Sequence, residues 1–168
     1  MTTTMPRPRL VRFLKYSIDP THGPADVCHI MCIDWRWWNP IGKNPKAVIV
    51  EFWAKKGWKA VPIDAAGGIK LLADTPDNPT DEILRAGLVA RVHQELGLHH
   101  PHILAISVHR DCGGYGYSKA FGNDYQKETD RLCEDLWTAK QFCEKEFGAK
   151  VRVECYIFDT EGVEEVLF

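Results

Sequence analysis

Four apolar segments alternate with segments of helical pattern along this chain, and this alternation limits the fold more than any other feature. The apolar segments read DVCHIMCI (26–33), WKAVPID (58–64), HILAISVH (102–109) and VRVECYIFD (151–159). Continuous apolar runs of this length are typical of buried strands. Strands that alternate with helices form α/β folds. The sequence therefore predicts an α/β fold with a central, mainly parallel β-sheet flanked by helices.

The first helical segment covers residues 44–57 and carries signals at both ends. Asn44 suits the N-cap, Pro45 suits the first helical position, and Gly57 suits the position just past the end. The β-branched run at 48–50 favours a strand instead. Because both end signals favour a helix, we predict a helix here.

Two longer helices are predicted nearer the C-terminus. The first begins at Thr80 or Asp81, keeps its apolar residues on one face and ends before Gly97. The second covers residues 123–147 and is followed by a glycine. Both helices precede a predicted strand, as the α/β pattern requires.

Length and net charge limit the number of domains in the chain and the partners that it can bind. The chain has 168 residues and a net charge of -2, so it is the size of one domain and lacks the basic excess of a nucleic-acid-binding protein. It contains neither an apolar stretch of about 18 residues nor a signal-peptide core. We expect a cytoplasmic protein with no nucleic-acid and no membrane partner. Residues 1–24 are expected to form an N-terminal arm with an apolar patch at 10–14, and residues 25–168 a single α/β domain.

The chain has six cysteines, and in the reducing cytoplasm they serve packing, metal ligation or catalysis rather than disulfides. They are Cys28, Cys32, Cys112, Cys133, Cys143 and Cys155. All except Cys32 and Cys112 fall inside strand or helix patterns. For these four we expect only a packing role, since a free cysteine behaves as a small buried hydrophobe.

The remaining two cysteines lie where the strands end. Functional sites in parallel sheets gather at the carboxyl ends of the strands. Cys32 lies at the end of the first strand, His109 at the end of the third, and Cys112 three residues after His109. Two thiols and one imidazole suit a catalytic zinc site, in which a fourth position stays open. A closed structural site requires a second cysteine or histidine pair, and the sequence has none near either motif.

An acid and an arginine follow Cys32 at alternate positions. Asp34 and Arg36 share a side of the chain with Cys32 if the backbone stays extended. An acid beside a metal, held by an arginine, is an arrangement that positions and tunes the metal ligands. Asp34 is therefore also a possible fourth ligand, with two alternative partners, the metal and Arg36.

Three further groups of residues are candidates for a functional role. The histidine group, His93, His99, His100 and His102, spans a helix end and a strand start and is predicted to be a solvated turn. The tryptophans at 35, 37 and 38 are expected in the core or a dimer interface, with a pocket wall as the alternative, and the segment 35–43 that carries them is predicted to be a loop. Gly113 and Gly114 allow close backbone approach beside the metal or form a plain turn.

These motifs together resemble the β-class carbonic anhydrases. CxDxR after the first strand, followed about 80 residues later by HxxCGG, is the pattern of that family, and here it reads CIDWR (32–36) and HRDCGG (109–114). DAAGG (64–68) takes the place of the family's Asn-Ala-Gly turn, and VRVECYIFDTEGVEEV (151–166) resembles its closing strand and hairpin. The resemblance covers residues 26–168 and is closest at 30–36 and 100–116.

The resemblance implies a fold, an activity and a set of site residues. Cys32, His109 and Cys112 are implied to bind Zn²⁺, with Asp34 and Arg36 as a catalytic dyad. The implied reaction is the reversible hydration of carbon dioxide to bicarbonate and a proton. The family is built from dimers in which an N-terminal arm packs on the partner subunit, so we expect a homodimer or a higher even oligomer.

Departures from the family pattern affect the expected substrate pocket more than the metal site. Trp35 stands where many members carry a small residue, and Ala66 and Gly67 stand in the altered Asn-Ala-Gly turn. With Gly113 they are the expected pocket residues. Two alternatives remain open: a carbonyl sulfide or carbon disulfide hydrolase on the same scaffold, and a non-catalytic zinc-stabilised interaction domain. A nucleotide-binding domain is a weak third, since no P-loop and no GxGxxG motif is present.

Overall fold

The computed structural model of the protein describes residues 23–40, 46–75, 78–148 and 151–168. The strands are β1 (Val27–Cys32), β2 (Ala60–Ala65), β3 (Ile103–His109), β4 (Arg152–Phe158) and β5 (Val163–Val166). The helices are α1 (Trp35–Trp38), α2 (Val48–Lys56), α3 (Lys70–Ala73), α4 (Pro79–His99) and α5 (Tyr125–Phe147). Two short 3₁₀ helices, Gly113–Tyr115 and Ser118–Phe121, follow β3.

The five strands form one sheet in the order β2-β1-β3-β4-β5. β1 pairs in parallel with both β2 and β3, and β3 pairs in parallel with β4. Only β5 runs antiparallel, as the return strand of a hairpin with β4. This confirms the predicted α/β fold with a mainly parallel sheet.

Helices cover both faces of the sheet, which explains why the strands are apolar without interruption. Every residue of β1 and β3 is buried. On one face Cys28 and Ile30 pack in the same hydrophobic cluster as residues of α3, α4 and α5. On the other face Val27 and Met31 pack with α1 and α2. The alternation of side chains along β1 therefore divides its residues between two hydrophobic cores.

The end of α2 is the predicted one. Gly57 follows the helix with φ of 72° and donates its N–H back to the carbonyls of Ala54 and Trp53, a conformation that glycine adopts without strain. The β-branched residues at 48–50 lie inside the helix, so the prediction of a helix over a strand is confirmed. The helix begins at Val48 with Ala47 as its N-cap, so the predicted start at Asn44 and Pro45, which lie outside the described residues, is wrong.

The boundaries of α4 differ from the prediction. Its cap is Asn78, whose side-chain oxygen accepts from the Asp81 backbone N–H at 3.0 Å, so the predicted caps Thr80 and Asp81 are wrong. The predicted stop at Gly97 is also wrong, because the helix continues to its C-cap His100, which takes the left-handed conformation instead. A glycine inside a helix costs only about 1 kcal/mol relative to alanine, which the packing of α4 on the sheet offsets.

Helix α5 begins slightly later than predicted, and the tryptophan segment is partly helical. Asp124 caps α5, which begins at Tyr125, two residues after the start of the predicted range of 123–147, and Gly148 terminates it as expected. The predicted loop at 35–43 is wrong for its first four residues, which form α1. The expected N-terminal arm lies outside the described residues up to position 22. Among the helices that the structure describes, none combines the length and apolarity that crossing a membrane requires.

Candidate metal centre

The topology creates a crevice at the carboxyl end of β1. The chain leaves β1 for β2 on one side of it and later returns as β3 on the other side. Connections that diverge in this way leave a gap outside the strand ends, where ligands bind in open α/β sheets. Cys32 is the last residue of β1 and His109 the last of β3, so both side chains lie at this gap. Cys112 follows three residues after His109.

These three side chains form a compact buried group. The two sulfurs, Cys32 Sγ and Cys112 Sγ, are 3.8 Å apart. The two sulfurs and one ring nitrogen of His109 all lie within 4.8 Å of one another. The residues are only 7%, 2% and 1% exposed for Cys32, His109 and Cys112. The structure thus brings the three predicted ligands together in a group that can hold a metal ion.

The hydrogen bonds of His109 identify the nitrogen that faces the thiols. Nδ1 lies 2.8 Å from the carbonyl oxygen of Arg110, which can only accept, so Nδ1 carries the proton. Nε2 is then an unprotonated acceptor. It is buried and has no hydrogen-bond partner among the described residues. A buried polar atom without a partner costs roughly 1–3 kcal/mol, and a histidine ligand whose other nitrogen donates to a carbonyl is the usual arrangement at metal sites.

The two thiols share a proton. The hydrogen bond from the Cys112 thiol lowers the pKa of Cys32 against the opposing effect of burial. The same hydrogen bond to the Cys32 thiolate raises the pKa of Cys112. A second negative sulfur beside the first is unfavourable without a cation. A bound metal supplies that cation, so metal binding is coupled to release of the remaining thiol proton.

Asp34 and Arg36 form a bidentate pair at the edge of this group. Nε of Arg36 donates to both carboxylate oxygens of Asp34 at 3.0 Å, and Nη2 donates to Oδ2 at 2.7 Å. The hydrogen bonds and charge of Arg36 lower the pKa of Asp34, which in turn raises the pKa of Arg36. Asp34 Oδ2 lies 3.6 Å from Nε2 of His109. The carboxylate therefore stands beside the unpartnered nitrogen while Arg36 holds both of its oxygens.

Asp34 and Arg36 do not come together through the extended backbone that their alternate positions suggested. The chain turns into α1 immediately after Asp34, whose side chain accepts from the Arg36 backbone N–H at 3.0 Å as the N-cap. The cap and the first turn of the helix bring residues 34 and 36 together. The pairing is present, but it depends on a helical turn.

Glycines permit the loops of the site to approach each other closely. A Cβ on Gly114 would lie 2.6 Å from the backbone of Gly67, and a Cβ on Gly68 would lie 2.6 Å from the carbonyl oxygen of Ser107. Gly68 also has φ of +62°. The loop after β2 and the loop after β3 thus touch, backbone to backbone, beside Cys112. Gly113 makes no such backbone approach, since a Cβ there would meet the Tyr117 side chain.

Only two of the four expected pocket residues line the two cavities next to the metal group: Ala66 lines one and Trp35 the other, whereas Gly67 and Gly113 line neither of the two. Ala66 lines a cavity of about 840 Å³ at the carboxyl end of β2, together with Ile33, Lys70 and Gly114. Trp35 is 68% exposed and lines a different cavity of about 1110 Å³, on the side of Arg36. Each cavity is therefore bounded by a residue next to the metal group, Gly114 in the first and Arg36 in the second.

The other candidate residues have mainly structural surroundings. Cys28, Cys143 and Cys155 are buried free thiols in the hydrophobic core, as predicted, and Cys133 is half-buried against it. Among the histidines of the predicted solvated turn, His93 and His99 pair with glutamates Glu146 and Glu95. Trp37 is buried with its ring 5.3 Å from that of His109.

Two residues near the site were missed by the sequence interpretation. Asp111 lies within the HRDCGG motif, and its carbonyl oxygen accepts from Arg36 Nη2 at 2.9 Å. Glu128 is a buried residue of the first turn of α5 and accepts from the Asp111 backbone N–H at 2.7 Å. The position of Asp111 between the predicted ligands was a visible signal. Glu128 carries none, because a glutamate near a helix start normally faces solvent.

Comparisons with known proteins add no assignment to this geometry. No family model matches the chain, and a search of curated proteins returned no match. The function must therefore be inferred from the residues and contacts of the site.

Proposed function

We propose that the chain is a zinc-dependent enzyme that hydrates carbon dioxide reversibly to bicarbonate and a proton, in the manner of the β-class carbonic anhydrases. One observation carries the proposal. Nε2 of His109 is buried and unpartnered among the described residues beside two thiols, and a carboxylate held by an arginine lies 3.6 Å away. The resemblance in sequence supports the same conclusion from different data.

The donor set suits zinc. Cysteine sulfur and histidine nitrogen are its usual protein ligands, and four-coordinate sites are tetrahedral. Two zinc–sulfur bonds of about 2.3 Å at a tetrahedral angle put the sulfurs about 3.8 Å apart. The Sγ–Sγ distance of 3.8 Å between Cys32 and Cys112 agrees with that value. Cys32, His109 and Cys112 would be the ligands.

Three protein ligands leave a position for chemistry. Asp34 lies near His109 but does not belong to the group whose ligand atoms all lie within 4.8 Å of one another. This favours a catalytic centre over a closed structural one. Zinc in such a centre supplies a hydroxide nucleophile at neutral pH by lowering the pKa of a water molecule.

The protein residues orient the reaction. Arg36 holds Asp34 as a charged acceptor, so the carboxylate can receive a hydrogen bond from the attacking nucleophile and direct it at the substrate carbon. Asp34 does this only while Arg36 keeps it off the metal. Carbon dioxide is small and uncharged, so the site needs no cationic funnel, in keeping with the net charge of -2.

Stopped-flow measurement of carbon dioxide hydration tests the proposal. We expect the zinc-loaded protein to accelerate hydration above the buffer rate and Cys32→Ser to abolish the effect. Cys133→Ser is the matched control, because that half-buried thiol lies on α5 outside the ligand group, and it should retain the rate. Carbonyl sulfide is assayed in parallel. Absence of a zinc-dependent rate contradicts the proposal, and faster turnover of carbonyl sulfide selects the hydrolase alternative.

Replacement of Arg36 tests the role assigned to the pair. Arg36→Ala should lower the rate by about 10–100-fold, because Asp34 is then free to occupy the fourth metal position. The double variant Arg36→Ala with Asp34→Asn should recover part of that loss, since an amide is a poor zinc ligand. Arg152→Ala, which removes an exposed arginine, is the control and should leave the rate unchanged. Full activity of Arg36→Ala would show that the pair is not a switch.

A further inference from the structure

The guanidinium of Arg36 is held from two sides. Its Nε and Nη2 edge contacts the carboxylate of Asp34. Its opposite edge contacts Asp111: Nη2 donates to the carbonyl oxygen at 2.9 Å and Nη1 to the carboxylate Oδ2 at 3.4 Å. Nη2 carries two N–H groups, so one can donate to Asp34 and the other to Asp111. Asp111 therefore does not compete with Asp34 for the arginine. Asp111 instead limits the positions that the guanidinium can take.

Of these two contacts with Asp111, the carbonyl is the better anchor. The Asp111 side chain is 51% exposed, and an exposed ion pair at 3.4 Å contributes little. The carbonyl oxygen belongs to the backbone, and its direction depends on the conformation of residue 111. That conformation is left-handed, with φ of 52°, which a residue other than glycine seldom adopts without support.

Glu128 supplies this support from α5. Its Oε1 accepts from the Asp111 backbone N–H at 2.7 Å, and its Oε2 accepts from the Ser118 hydroxyl at 2.9 Å. The Ser118 backbone N–H donates in turn to Oδ1 of Asp111 at 3.1 Å. These three bonds close a ring that fixes residue 111 relative to the helix.

Glu128 is only 4% exposed, and burial of a carboxylate is expensive unless hydrogen bonds satisfy it. Both of its oxygens are satisfied here by donors of the loop that carries Cys112. Glu128 therefore stabilises the conformation of that loop.

We propose that Glu128 is a positioning residue of the metal centre, which acts through the Asp111 backbone to keep Arg36 on Asp34 and so keeps Asp34 off the fourth metal position. The inference rests on the proposed function for the role of that position. Loss of Glu128 releases residue 111, loosens Arg36 and lets Asp34 reach the metal more often. An external anion then competes with Asp34 for the same place.

Cobalt(II) loading gives a readout that does not depend on turnover. Cobalt(II) bound to two thiolates and an imidazole absorbs visible light, and its spectrum reports titration with thiocyanate. An anion binds only the fraction of molecules in which the fourth position is accessible, so its apparent affinity falls with that fraction. For Glu128→Ala we expect thiocyanate binding to weaken by about tenfold, the lower end of the value of one hydrogen bond to a charged group.

Matched variants separate positioning from general damage. Glu128→Gln should bind thiocyanate like the parent protein, since its amide can accept from Asp111 and donate to Ser118. Glu128→Asp, which keeps the charge but shortens the side chain, should weaken binding in the same direction as Glu128→Ala and serves if the alanine variant does not fold. Glu134→Ala, at an exposed position of the same helix, should have no effect.

The decisive measurement is the same substitution in an Asp34→Asn background. There the competing carboxylate is gone, so Glu128→Ala should no longer change the thiocyanate affinity. An equal weakening in both backgrounds would overturn the proposal, as would unchanged affinity in Glu128→Ala and Glu128→Asp. If the thiocyanate affinities change as expected but the zinc-loaded protein does not hydrate carbon dioxide, the proposed function is refuted and the role of Glu128 stands. Failure of the parent protein to bind cobalt or zinc would overturn both.

Discussion

His29 and His109 lie on adjacent strands of the sheet but differ in the bonds of their rings. His29 lies in the middle of β1 and His109 at the end of β3, and both are almost completely buried. The ring of His29 is satisfied at both nitrogens. Trp53 donates its indole N–H to Nδ1 at 2.9 Å, and Nε2 donates to the Ser107 hydroxyl at 2.9 Å. Among the described residues His109 has a single such bond, to the Arg110 carbonyl.

Position along the strands separates the surroundings of the two rings. The ring of His29 lies against Phe52 and Phe158. Burial lowers the pKa of His29 to about 3, so the ring is neutral at physiological pH. His109 points to the gap at the strand ends, where the two thiols lie. Burial alone therefore does not identify a functional histidine; the nitrogen without a partner does.

The largest expected effect is on metal affinity. His109→Ala should weaken zinc binding by about 1000-fold, if one of three protein ligands carries about a third of the 10–16 kcal/mol typical of zinc sites. Competition with a chromophoric chelator measures this change. His29→Gln is the matched control and should bind zinc with unchanged stoichiometry. Equal affinity in His109→Ala would remove it from the ligand set.

The second effect is on the pH dependence of stability. The pKa of His29 is lowered to about 3 in the folded protein from its ordinary value of 6.5, so the unfolded chain binds more protons between these values. The stability that the neutral ring provides is present above pH 6.5 and is lost as the pH falls towards 3. The contribution changes by up to about 1.4 kcal/mol per pH unit in that window.

Urea denaturation between pH 4 and pH 7 in the presence of a chelator measures this dependence. The free energy of unfolding should fall less steeply with acidity in His29→Gln, which has no titrating ring at this position, than in the parent protein. Identical slopes in the two proteins would contradict the assignment of His29 as a neutral buried ring.

The fold was largely predictable because its determinants are local. Apolar runs identified the four longer strands, and Gly57 and Gly148 marked two helix ends through conformations that glycine adopts without strain. α1 was missed because it has only four residues and its cap, Asp34, was interpreted as a functional residue alone. Asn78 was missed as the cap of α4, although it precedes Pro79, a residue that suits the start of a helix.

The ligand group was predictable because strand order brings strand ends together. Cys32 and His109 are the final residues of adjacent parallel strands, so their convergence follows once a parallel sheet is assumed. The hydrogen bonds that hold the loop after His109 in place were not predictable. Glu128 reaches Asp111 across 17 positions of sequence, and nothing in the helical pattern distinguishes it from a solvated glutamate. Long-range hydrogen bonds of this kind depend on tertiary packing.

The smallest expected effect comes from removing one hydrogen bond of His29, the histidine whose two ring nitrogens both have partners. Trp53→Phe keeps an aromatic ring in the cluster but removes the N–H that Nδ1 of His29 accepts. A buried acceptor left without its donor should lower the free energy of unfolding by about 1 kcal/mol. Trp58→Phe makes the same change of ring in the same hydrophobic cluster, so the difference between the two variants in urea denaturation measures the bond itself. Zinc stoichiometry should stay unchanged in both. If Trp53→Phe instead reduced zinc binding, the two histidines would be coupled through the sheet, and His29 would belong to the metal centre as well.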